Sequence, residues 1–189
     1  IFSNDPNGEF SQFDASFFGL ASFGKDFADQ VGTDKATVRL DLIYNDEDPN
    51  ANTRDFGEVI SIVTQWEEGN WGLWTDLSYG NGYRGQSDLW GAVLMPFYNI
   101  NEQLQVVFRY THIESSGENG IRLGRYESSI VSGRGDHYDE LYFGFNVYLY
   151  GHKLKWQTGV QKTRMQDKLN DGGKLSDGFG VTTGFRISW

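Results

Sequence analysis

Cysteine is absent from the 189 residues, proline occurs only three times, and no apolar run approaches a membrane-spanning helix. The first absence excludes a disulfide scaffold and a cysteine-based zinc site. It leaves the compartment open, because exported proteins need not carry disulfides. The prolines are scattered singly and mark no linker, so residues 1–189 read as a single domain. A spanning helix needs roughly 20 apolar residues, and with a mean hydropathy of −0.52 helical insertion is excluded. A membrane barrel is not, since barrel strands alternate lipid-facing and lumen-facing residues and average out as hydrophilic. A basic stripe is also missing: the net charge is −10. Nucleic acid is therefore not an expected partner.

Aromatic residues (16%) and 24 glycines stand in place of the sparse Leu, Ile and Val. Segments of about ten residues with a period of two recur along the chain, the pattern of antiparallel meanders. Strands are expected near 10–22, 35–45, 57–67, 70–80, 88–98, 102–113, 138–150, 152–163 and 178–189. In "LYFGFNVYLY", Leu141, Phe143, Phe145, Val147 and Leu149 share one face; in "LQVVFRY", Leu104, Val106, Phe108 and Tyr110 do. No segment keeps a helical period over three turns.

The connections fall into two kinds. "EEGN" (67–70), "NINEQ" (99–103) and "YGHK" (150–153) are tight, whereas 45–55, 79–87, 114–137 and 164–178 are long and polar. Short and long alternate, as in an outer-membrane barrel with short periplasmic turns and longer extracellular loops. Trp66, Trp71, Tyr98, Tyr148 and Tyr150 near the tight turns, and Tyr44, Tyr79 and Tyr110 towards the long loops, fit the aromatic girdles of such barrels. The longest connection, 114–137, is the candidate for a loop that folds inward.

The closing "TGFRISW" resembles the carboxy-terminal signal read by the outer-membrane assembly machinery, with Gly184, Ile187 and the aromatic Trp189 at its marked positions. "IRLGRYES" (121–128), "GRGDHYDELYFGFNVYLYGHKLKWQTGVQ" (133–161) and "GFGVTTGFRISW" (178–189) resemble the closing portion of the phosphate-selective porin O and P family. "SDLWGAVLMPFYNINEQLQVVFRYTHIE" (87–114) resembles its preceding hairpin. The likeness spans roughly residues 57–189. It implies an all-β, antiparallel outer-membrane β-barrel of 16 strands, usually a homotrimer, that passes small anions through a water-filled pore in contact with outer-membrane lipid. Nine strands is an odd number, whereas a single-chain bacterial barrel closes on an even one. Either a further strand lies in 114–137 or strands precede Ile1; the first would put long loops on the periplasmic side, so upstream strands are expected, this chain supplying the closing half.

If the apolar faces meet lipid, parity directs Arg39, Asp41, Asp76, Arg109, Glu140, Asn146, Lys153, Lys155, Gln157 and Arg186 to the lumen. Two arrangements are open. Arg109, Lys155 and Arg186 could form a cation column favouring anions, or Asp41, Asp76 and Glu140 could neutralise the cations pairwise. The family's specialised members line the pore with a dense ladder of Arg and Lys. Here 16 Lys and Arg face 26 Asp and Glu, so a general diffusion porin with mild anion preference is expected over phosphate selectivity.

Catalysis finds little support. His112 falls on a lipid-facing position, His137 in a loop and His152 in a tight turn, without nucleophile or metal-ligand spacing. Asp46, Glu47 and Asp48 lack the glycine and terminal glutamate of a calcium loop, and "GNGYRG" precedes no helix that would cradle phosphate. Neither cofactor nor resident metal is expected. Two other readings stand beside the porin: an outer-membrane barrel with a structural or adhesive role through its acidic loops, and a soluble β-sandwich binding carbohydrate through exposed Trp and Tyr.

Overall fold

The computed structural model describes residues 18–45, 56–124, 127–129, 131, 133–151, 153–169 and 173–188. They form β1 (Phe18–Asp26), a helical turn α1 (Ala28–Val31), β2 (Lys35–Asn45), β3 (Phe56–Glu68), β4 (Trp71–Gly82), β5 (Leu89–Asn101), β6 (Leu104–Ser115), a 3₁₀ turn (Glu127–Ser129), β7 (His137–Tyr150), β8 (Leu154–Asp167) and β9 (Gly173–Ile187). All nine strands lie in one sheet in chain order, every neighbour antiparallel. The sheet is open: among the described residues, β1 and β9 each pair on one side only.

Because partners in an antiparallel pair share a face, the register carries each face across the sheet. One row runs Leu40–Ile62–Leu77–Ala92, and another Phe108–Phe143–Val160–Val181. These rows make an apolar face. The row Gln105–Asn146–Gln157 lies on the opposite, polar face. No described residue forms a layer over the apolar face. Among the described residues 27 large hydrophobic side chains are exposed, most of them here, and six hydrophobic residues are buried. Phe179, Val181, Phe185 and Ile187 on β9 are 66–79% exposed. That inverts the arrangement of a domain folded in water.

What buried core there is lies on the polar face, where Ile121 and Val131 of the connection between β6 and β7 pack on Tyr138 and Met165. The tight turns at one end place Gly69 and Gly151 at positive φ (57° and 51°), which L side chains rarely adopt. Gly69 N–H donates to Asp34 Oδ2 (2.7 Å), tying two connections of that end together.

Several sequence expectations shift. The first strand, expected at 10–22, runs through Gly24, Lys25 and Asp26, because pairing with β2 continues beneath residues that read locally as a turn; residues 10–17 lie outside the described ones. The long connections at 79–87 and 164–178 shrink to 83–88 and 168–172, since β4, β8 and β9 outrun their apolar bands. Backbone hydrogen bonds need no apolar side chain. Conversely, the 27–34 connection, at the tight-turn end, has eight residues and a helical turn, so lengths do not alternate strictly. Tyr148 is no girdle residue: it faces the polar side, opposite Lys155, and its hydroxyl donates to Gln105 (3.2 Å).

Candidate functional site on the polar face

The half of the polar face nearest the tight turns is a ladder of amides. Gln157 Nε2 donates to Asn146 Oδ1 (2.7 Å), Asn146 Nδ2 to Gln105 Oε1 (2.7 Å), and Gln105 Nε2 to Asn99 Oδ1 (2.9 Å). Register alone produces this, because one polar residue per strand falls on one row. The ladder floors an open concavity of about 1410 Å³, which also gathers Arg109, Tyr142, Lys155 and Arg186. Lys155 and Arg186 are direct cross-strand partners on β8 and β9.

Charge is distributed unevenly over the face. Arg39 Nε meets Asp41 Oδ2 at 2.8 Å, and Ser22 Oγ donates to the same carboxylate. Arg109 Nη2 meets the buried Glu140 Oε1 at 2.6 Å, Tyr138 Oη donates to Glu140 Oε2 (2.9 Å), and the guanidinium lies 5.2 Å from the Tyr142 ring centre. Lys35 pairs with Glu67 (3.4 Å). Asp76 accepts from the hydroxyls of Ser61 and Ser78. Lys155 and Arg186 have no ion pair among the described residues. Pairwise neutralisation thus holds for Arg39 with Asp41 and for Arg109 with Glu140. It does not extend to Lys155 and Arg186.

The far half of the face is covered by the 116–136 connection. Ile121 N–H donates to Gly135 O (2.7 Å) and Gln86 Nε2 to Gly120 O (2.6 Å). The buried Asp136 carboxylate accepts the backbone N–H groups of Lys168 and Leu169 (2.8 and 2.5 Å). These bonds stitch three connections together, and Ile121 and Val131 hold the longest down on the sheet.

Sequence parity placed Arg39, Asp41, Asp76, Arg109, Glu140, Lys155 and Arg186 on this face, but the concavity collects only Arg109, Lys155 and Arg186. It missed Gln105 and Tyr142, which the same parity through "LQVVFRY" and "LYFGFNVYLY" marks. Gly184 sits on the polar face opposite Gln157, and Ile187 on the apolar face opposite Leu154. Trp189, His152 and Asp46 to Asp48 lie outside the described residues. One expectation is corrected: His137, read in a loop, opens β7 and pairs with Glu114, which brings it close to His112 across the β6–β7 register. No known family model matches the chain, and no curated protein compared with it is significantly similar.

Proposed function

We propose that this chain builds part of the wall of a water-filled outer-membrane β-barrel, passing small hydrophilic solutes passively with mild anion preference. The observation that carries the reading is the inversion of the sheet: large hydrophobic side chains cover a face over which no described residue forms a layer, while the opposite face holds an amide ladder, ion pairs and an open concavity. An exposed apolar surface this extensive calls for another apolar medium, and a bilayer supplies it to the whole face at once. A soluble sandwich would set a second sheet against it; all nine strands lie in one. The edges β1 and β9 take further strands in the closed wall.

Lys155 and Arg186 supply the anion preference, aided by Arg109 to the extent that Glu140 leaves its charge uncompensated. The 116–136 connection, held on the polar face, narrows the lumen. The ending of β9, with Gly184 and Ile187, serves recognition by the assembly machinery.

The test is reconstitution of the native protein into planar bilayers. Ohmic steps with a reversal potential displaced modestly towards anions in a salt gradient are expected. A protein that stays soluble without detergent and gives no conductance would overturn the reading.

A further inference from the structure

On the apolar face, at the end of the sheet away from the tight turns, β6 and β7 set four side chains in a two-by-two block. His112 pairs with Asp139, and Glu114 with His137. Asp139 holds both rings: Oδ1 lies 2.9 Å from His112 Nδ1, and Oδ2 lies 3.1 Å from His137 Nε2. Tyr110 Oη donates to the same carboxylate (2.7 Å). A neutral imidazole has one N–H, and a carboxylate accepts it. The two contacts therefore leave lone pairs on His112 Nε2 and His137 Nδ1. His112 Nε2 lies 3.6 Å from Glu114 Oε2. His137 Nδ1 is buried without a hydrogen-bond partner among the described residues.

An unpartnered buried imidazole nitrogen beside a second histidine and a carboxylate is a set of donors awaiting an acceptor. One ligand atom from each of His112, Glu114 and His137 already lies within 4.8 Å of the others. Around a tetrahedral cation with bonds of about 2.0–2.1 Å, ligand atoms stand roughly 3.3–3.5 Å apart. The 3.6 Å between His112 Nε2 and Glu114 Oε2 is close to that, and the third ligand comes from His137, the cross-strand partner of Glu114. The Trp90 ring, centred 4.8 Å from that of His112, packs beside the block.

We propose that His112, Glu114 and His137 form a binding site for a divalent cation of the zinc class, with Asp139 as the positioning residue that orients both imidazoles. Two imidazoles and one carboxylate suit zinc, cobalt, nickel or copper and disfavour magnesium and calcium, which take all-oxygen shells. A carboxylate on the far nitrogen of a ligating histidine is the usual support of such sites. The cation would clamp β6 to β7 at the root of the 116–136 connection. The site lies on the opposite face from the concavity and does not depend on the pore reading.

The probe is Co²⁺, titrated into the untagged, folded protein in detergent and followed by visible d–d absorption, with Zn²⁺ as competitor. One equivalent of Co²⁺ with a tetrahedral-type spectrum, displaced by Zn²⁺ but not by Mg²⁺, is expected. His112→Gln and His137→Gln should each weaken binding roughly 100-fold, and Asp139→Asn about 10- to 100-fold with the spectrum retained. Far-UV circular dichroism checks each fold, and Glu114→Gln, expected to give the same loss, serves where a histidine variant fails to fold. Absence of the cobalt spectrum in the folded native protein, or affinity unchanged in the folded variants, would overturn the site.

Discussion

The molecule carries two apolar surfaces that are satisfied differently. Ile121, Val131, Tyr138 and Met165 on the polar face are each no more than 2% exposed, because the chain folds its own 116–136 connection over them. Leu141, Phe143, Phe145 and Leu149 on the apolar face stay 37–54% exposed, with none of the described residues over them. The first surface obeys the packing rules of any protein interior, where partners are fixed and a missing methyl leaves a void. The second has only solvent to meet, so its tolerance depends on what that solvent is.

Substitutions that treat the two surfaces alike should have different outcomes. Ile121→Ala removes packing inside the closed cluster and should cost about 2–5 kcal/mol of local stability. Its readout is faster hydrogen exchange across 116–136, together with larger single-channel conductance as the connection lifts. Phe145→Ala should cost much less in detergent or lipid, which refill the vacated space. Phe145→Arg ends that tolerance: near the bilayer midplane the buried charge should cost roughly 2–4 kcal/mol, read as a lower urea midpoint in lipid vesicles. Gln157→Arg, on the amide ladder, should cost about 0.5–1.5 kcal/mol, the net worth of the one ladder hydrogen bond it removes.

Smaller still is the effect of removing the cations. Lys155→Gln with Arg186→Gln should move the reversal potential towards cations, since these two face the concavity without acidic partners among the described residues. Arg109→Gln should add less than either, Glu140 already compensating it. Acids farther than a Debye length of about 8 Å are screened. An Arg39→Gln change, in a solvent-exposed ion pair with Asp41, should hardly move either stability or selectivity.

Much of the fold was legible because period-two alternation is a local signal. β2 falls where "KATVRLDLIYN" puts it, and the face shared by Leu141 to Leu149 is the face observed. What was not legible depends on pairing. β8 continues to Asp167 through polar residues because β9 answers it, which no local pattern states. The packing of the 116–136 connection on the polar face had a readable cue in Ile121 and Val131, apolar residues in a polar stretch. The partition of the polar-face charges needed the register, which alone puts Glu140 within reach of Arg109 and leaves Lys155 beside Arg186. "HIE" and "HYD" were both in view; only the antiparallel register between β6 and β7 brings their histidines together.

Because the chain has no cysteine, single cysteines can be placed one at a time along β7 and labelled with an environment-sensitive fluorophore in lipid vesicles. Labels at Phe143, Phe145 and Val147 should be quenched by brominated lipid and shielded from aqueous iodide, and labels at Tyr142, Asn146 and Tyr148 should show the reverse. Quenching with a period of two and this phase is the direct signature of a sheet standing between lipid and water. Uniform access of iodide to both sets, or no response to brominated lipid at any position, would contradict it.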